Sequence, residues 1–304
     1  MDVEDQVARI VAAVKSRREA LALELALALH DTDPASLLRC DDALGHPLLM
    51  WCAVSGLSGL TEYLLSLAEG DGAADLVDRP ASCTCGHAGQ NALMWAATTA
   101  FSPYAMKCAV ILLRFGASPA RQDAHGCTPI THAAQVGNLP MMHLLASISP
   151  GTADLLDFQG RSPLHWAAYS GHAGVVAYCI RVLGMNGNLN DAKLFSPLGR
   201  ALQNNQPVVV HLLCELGVNM EAGFDVSTRS TRGTSNPTFI ASELLVSSSD
   251  TVNLCRRVVA GASAAVLLGF AVFVAFVARA QVEAMCSERT LNELLRVRRE
   301  DFAE

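Results

Sequence analysis

The sequence predicts an all-α chain: about five stacked helix pairs forming a solenoid, an N-terminal helical cap, then a linker and one C-terminal transmembrane helix. Three observations carry this. One phrase returns, as "GHPLLMWCAVSGL" at 45–57, "GQNALMWAATTAF" at 89–101 and "GRSPLHWAAYSGH" at 160–172, and the chain's three tryptophans, Trp51, Trp95 and Trp166, hold the same place in it. The leading position of the phrase recurs at steps of 44 (Gly45 to Gly89), 37 (to Gly126), 34 (to Gly160) and 34 (to Leu194). Finally, Val258–Ala278 is a run of 21 residues without a charge.

The chain opens with a cap, or degenerate repeat, over 1–41. Its "KSRREALALELALALH" has the basic start and apolar run of a secretion signal, but Glu19 and Glu24 interrupt the run and acidic "MDVEDQ" precedes it. An amphipathic helix fits better. Residues 1–222 hold 13 Lys+Arg against 20 Asp+Glu and so carry the whole net charge of −7. That balance argues against a nucleic-acid partner, whose phosphates need a basic face. Ten cysteines are scattered singly apart from Cys83 and Cys85, which fits a reducing compartment better than a disulfide scaffold.

Repeats are expected at about 42–70, 86–120, 123–151, 157–190 and 191–222. Each letter of the phrase has a physical task. Thr128, Ser162 and Ser196 precede Pro129, Pro163 and Pro197. Hydroxyls there can cap free amides at a helix start, and proline at the first helical position loses nothing by lacking an N–H. Paired alanines (Ala96–Ala97, Ala133–Ala134, Ala167–Ala168) permit close helix approach, and Gly56, Gly137 and Gly171 suit left-handed helix ends. Leu64–Leu65, Leu112–Leu113, Leu144–Leu145 and Leu212–Leu213 place the second helix of each pair in a shared core. One pair cannot bury its own apolar face, so neighbours must stack. "DAHGCTPITHAAQVGN" and "DFQGRSPLHWAAYSGH", followed by a worn "AKLFSPLGRALQNNQ", resemble the ankyrin repeat, whose period is near 33. The resemblance implies a curved solenoid without a cleft.

The tryptophan site faces the next repeat, where His132 replaces the indole in the third unit. Two readings stay open: core packing, and a flat ring at the groove that serves as a binding hot spot. The 44-residue step contains "SCTCGHAG". Cys83, Cys85 and His87 are metal-ligand types, but a structural zinc site takes four ligands and favours Cys-x-x-Cys spacing. The sequence therefore predicts a solvated loop, no metal and no cofactor. "TTAFSPYAMKC" replaces the usual Gly-His turn, and Pro103 points to an irregular loop before a longer second helix.

Polar, hydroxyl-rich "STRSTRGTSNPTF" marks a flexible linker over 223–257. At 1.5 Å per residue the run 258–278 would span about 30 Å, a hydrocarbon core. Gly261, Ala265 and Gly269 fall every four residues, a seam suited to transmembrane helix association. Cys255, beside Arg256 and Arg257, is a candidate for reversible S-acylation. The tail 279–304 reads as a short amphipathic segment. Two arginines on each side of the span leave orientation to the solenoid, which is expected in the cytosol of a single-pass protein.

Paired "ALMWAA" and "SPLHWAAYSGH" before a linker and a span resemble the N-terminal half of the ankyrin-type protein palmitoyltransferases. That resemblance implies substrate recruitment near Trp95. It does not carry the catalysis, because the Asp-His-His-Cys segment of that family does not occur here. No P-loop, dinucleotide fingerprint or His-Glu-x-x-His occurs either, so the chain is read as a non-enzyme. The first expectation is a membrane-anchored scaffold that binds a protein or peptide in a concave groove. The alternative is a truncated or degenerate palmitoyltransferase whose repeats recruit substrates. Groove candidates, at variable positions of the phrase, are Gln90, Trp95, Thr98, Thr99, His125, Gln135, Phe158, Gln159, Arg161, Tyr169, Lys193, Phe195 and Gln203. Arg161 and Tyr169 are expected to take no part in stacking.

Overall fold

A computed structural model describes residues 3–219, apart from 69–74, 84 and 100–101. The linker, the run 258–278, the tail and Cys255 with Gly261, Ala265 and Gly269 lie outside the described residues. Among the described residues, no helix is long and apolar enough to cross a membrane.

Helices α1 (Val3–Lys15), α2 (Glu19–Thr32) and α3 (Pro34–Leu38) form the N-terminal unit. Ile10, Val14, Ala22, Ala26 and Leu29 are fully buried there, so the stretch that imitates a secretion signal is a packed helix. Five helix pairs follow: α4 (Leu48–Ser55) with α5 (Ser58–Leu67), α6 (Ala92–Ala97) with α7 (Pro103–Arg114), α8 (Pro129–Val136) with α9 (Leu139–Ile148), α10 (Pro163–Ser170) with α11 (Ala173–Arg181), and α12 (Pro197–Gln203) with α13 (Pro207–Glu215). A 3-10 turn, Pro150–Asp154, follows α9.

The first helices α4, α6, α8, α10 and α12 pack on one another in sequence order. Their contacts need small residues, and Ala96, Ala97, Ala133, Ala134, Ala167 and Ala168 are all fully buried. Leu49, Leu93, Ile130, Leu164 and Leu198 fill one layer along the stack, each no more than 2% exposed. The leucine pairs of α5, α7, α9 and α13 are buried behind them, and Tyr178–Cys179 takes that place in α11. Burying side chains of this kind is worth about 1.5–3 kcal/mol each.

Capping differs in part from expectation. Ser196 accepts a hydrogen bond from the Gly199 amide at 3.2 Å. Thr128 makes no cap bond to backbone; its hydroxyl pairs with Thr131 at 3.0 Å. Ser162 pairs with His165, whose Nδ1 lies 2.9 Å from the hydroxyl and 3.1 Å from the Ser162 amide nitrogen. Ser102 caps α7 and puts Pro103 at the helix start, so that proline begins the longer helix rather than disturbing it.

Between helix pairs the chain turns outward into hairpin tips. Backbone bonds join successive tips: Ser82 N to Gly45 O (3.0 Å), Ala124 N to Ala88 O (3.1 Å), Phe158 N to His125 O (3.1 Å) and Ala192 N to Gln159 O (2.8 Å). Glycine at the tip is a steric demand. Gly126 has φ +81°, and a Cβ there would lie 2.6 Å from the Phe158 nitrogen of the next tip. Leu194 takes the same place in the last repeat at φ +62°, which a side chain tolerates only with strain.

Candidate functional site: the concave groove

An aspartate organises the tip in four of the five repeats. It stands three residues before the tip position, as Asp42, Asp123, Asp157 and Asp191. One carboxylate oxygen accepts the backbone amides two and four residues on: Leu44 and His46 for Asp42, His125 and Cys127 for Asp123, Gln159 and Arg161 for Asp157, and Lys193 and Phe195 for Asp191. The other oxygen meets the side chain nine residues on, which stands in the first helix. Its partners are Trp51 Nε1 (3.1 Å), His132 Nε2 (3.0 Å), Trp166 Nε1 (3.1 Å) and Arg200 Nε (2.7 Å). Each aspartate thus clasps its own turn to its own helix.

In the second repeat Gly86 replaces the aspartate, and Trp95 donates instead to Gln90 at 2.9 Å. Burial opposes the charge of Asp123, but the His132 ring and the two amides outweigh it and hold the carboxyl below its ordinary 3.8. Asp191 shows the same balance, with the Phe195 amide and Arg200 outweighing burial. The sequence reading missed these aspartates. Their signal was present: four aspartates at one offset from the tip, each nine residues before Trp, His or Arg.

The tryptophans pack into the stack and also line the groove. Trp95 is 8% exposed and its N–H is satisfied, while Trp51 and Trp166 are half-buried. All three also line a groove cavity of about 620 Å³, together with Gln90, Thr98, His125, His132, Gln135 and Arg161. The solenoid therefore does contain a cleft, because the row of large side chains stands above helices held apart only by alanines. A smaller cavity of about 220 Å³ continues along the groove between Arg161, Tyr169, Arg200 and Gln203.

The remaining candidates lie elsewhere. Thr99 sits at a stacking contact, its carbonyl accepting from Asn138 Nδ2 at 2.8 Å. Phe158, Gln159 and Lys193 are exposed at hairpin tips and line neither cavity. Phe195 is half-buried, with its carbonyl 3.2 Å from His165 Nε2 and its ring 5.0 Å from the Arg200 guanidinium. Arg161 differs from expectation: it donates to buried Asp157 at 2.7 Å and lies 4.1 Å over the Trp166 ring. It lines the groove while fastening the tip. Tyr169 is 39% exposed and Gln135 is exposed.

The one thiol lining the larger cavity, Cys127, is pushed up to about 12, first by burial and then by Asp123 and Asp157. Such a thiol stays protonated and is a poor nucleophile. What the groove offers is apolar rings edged by amide, imidazole and guanidinium donors.

Residues 148–223 match the family model described as "Ankyrin repeats (3 copies)". Among curated proteins, ankyrin repeat domain-containing protein 63 of Homo sapiens is 35% identical over 71 residues, 23% of this chain and 18% of that protein. Its Mus musculus counterpart matches over the same extent. The chain thus spans less than a fifth of the length of the curated relatives it matches. The family match identifies an ankyrin-repeat region in the chain, and the curated relatives are ankyrin-repeat proteins by name.

Proposed function

We propose that this chain is a membrane-anchored scaffold whose concave groove holds a protein or an extended peptide. Ankyrin repeats generally bind protein partners. The observation that carries the groove reading is the cavity of about 620 Å³ built jointly by the first four repeats. Its rings and polar edges have the composition of an interface core, where tryptophan, tyrosine and arginine anchor partners.

The membrane half rests on sequence: 21 uncharged residues at Val258–Ala278 are costly to leave in water. In this reading the repeats face the cytosol on a single-pass anchor. Palmitoyl transfer is not included, since no Asp-His-His-Cys segment occurs in the sequence.

Replacing groove residues tests the scaffold. Gln135→Ala with Tyr169→Ala should weaken partner capture and leave unfolding unchanged; undiminished capture by a folded variant rejects the groove. Alkaline carbonate extraction tests the anchor, and release of the chain into the supernatant rejects it.

A further inference from the structure

The second repeat is the one whose tip lacks the clasping aspartate. Its place is taken by an insertion that carries Cys83, Cys85 and His87. The structure brings a fourth residue to these three, His46 from the tip of the first repeat, and their ligand atoms all lie within 4.8 Å of one another. His46 Nε2 is 3.2 Å from Cys85 Sγ, and Cys85 Sγ is 3.4 Å from His87 Nδ1. In a zinc tetrahedron with Zn–S about 2.3 Å and Zn–N about 2.0–2.1 Å, neighbouring sulfur and nitrogen ligands lie about 3.5 Å apart. The spacing therefore suits one ion at the centre.

We propose that His46, Cys83, Cys85 and His87 hold a structural zinc ion that fastens the tip of the second repeat to the tip of the first. Two thiolates and two imidazoles form a closed four-ligand set, which leaves no position for a reacting water. His46 is already oriented for this. Its Nδ1 lies 3.0 and 3.1 Å from the two oxygens of Asp42, so the proton stays on Nδ1 and the Nε2 lone pair faces the cluster. A carboxylate behind a ligating histidine is the usual support of a zinc site. Asp42 is itself fixed by Lys15, Trp51 and two backbone amides.

His46 and Cys83 are buried, while Cys85 and His87 are exposed. The site thus has a rigid inner half and an accessible outer half through which the ion can enter. The expectation of a solvated, metal-free loop weighed three ligands and an unfavourable Cys-x-Cys spacing. It could not see His46, 37 residues before Cys83 and drawn in by repeat stacking. The ion would do for this tip what aspartate does for the other four: hold the turn where no carboxylate is available.

Binding reverses with protonation of the thiolates, and the ion adds no redox step. Trp51 and Trp95 stand beside the cluster, the Trp95 ring 5.1 Å from His46 and 5.5 Å from His87, so they report on it.

The test uses the full chain, stripped with chelator under reducing conditions. Titrated zinc should bind one equivalent with a dissociation constant below about 10⁻⁷ M at neutral pH. Cobalt in its place should give the strong visible absorption of a tetrahedral site together with a thiolate charge-transfer band, and it should quench tryptophan fluorescence. His46→Gln and Cys83→Ser should abolish stoichiometric binding, whereas Cys214→Ser, remote from the cluster, should not. Asp42→Asn should weaken binding about 10–100-fold by loosening His46. Metal content is measured on folded wild-type protein first, so a variant that fails to fold does not decide the matter. Wild-type protein that binds less than half an equivalent of zinc, or that gives an octahedral cobalt spectrum, overturns the proposal. So does wild-type binding that survives in folded His46→Gln.

Discussion

Asp157 and Trp166, nine residues apart, are joined by a hydrogen bond of 3.1 Å from the indole nitrogen to a fully buried carboxylate. The same offset links Asp42 to Trp51, Asp123 to His132 and Asp191 to Arg200. The recurring tryptophans are thus explained from below. They are donors that close a turn, and their rings then floor the groove.

Removing that donor while keeping an aromatic ring in its place tests its worth. Trp166→Phe should lower unfolding stability by about 1.5–3 kcal/mol, the scale of a hydrogen bond to a charged acceptor, with helical circular dichroism unchanged. Urea denaturation measures this, and an unchanged midpoint would show that the clasp carries no stability.

Arg161→Ala should also destabilise, since it strips a partner from buried Asp157. The paired change Gln135→Ala with Tyr169→Ala should not, because neither side chain holds a stacking bond described above. Ala167→Leu should melt earlier than either, as it wedges apart helices in contact at a fully buried position and overpacking costs about 1–3 kcal/mol. Thermal unfolding of the three variants side by side gives the order.

Leu194 holds a left-handed backbone at φ +62° where the other tips use glycine, and its side chain is 55% exposed. Leu194→Gly should relieve roughly 1–2 kcal/mol of strain against about 0.5–1 kcal/mol of added freedom in the unfolded chain. A gain of up to about 1 kcal/mol in denaturant titration is expected. A loss would mean that the leucine packs against something that offsets its strain.

His165 predicts a pH dependence. Burial lowers its pKa below the ordinary 6.5, with nearby Asp191 pulling the other way. The folded value is below the unfolded one, so the unfolded chain binds more protons between the two. The contribution is therefore complete above about pH 6.5 and is lost as pH falls through the folded value. Between pH 7 and 5 the wild type should lose more stability than His165→Gln; parallel curves would show that this ring does not titrate on unfolding.

The period, the buried alanine pairs and the leucine layer were legible in the sequence because helix stacking repeats one local pattern. Gly56, Gly137 and Gly171 take the left-handed conformation at helix ends, as their place in the phrase implied. The aspartate clasp was equally periodic, but its partner stands nine residues away, an offset no helix or strand period singles out. His46 meeting Cys83 was not legible at all, because only the stacking of two tips joins residues that far apart. Arg161 shows the limit of reading variable positions as free: its neighbour across the turn, Asp157, gives it a structural task.

In the proposed function the groove, rather than the outer face, meets the partner. Photo-crosslinking side chains placed singly at Gln135 and Tyr169 in the groove, and at Ser147 on α9, test it in intact cells. Ser147 is exposed on an outer helix. A partner seated in the groove should give discrete crosslinked species from Gln135 and Tyr169 and none of them from Ser147. The same species from Ser147, with none from the two groove positions, would contradict it.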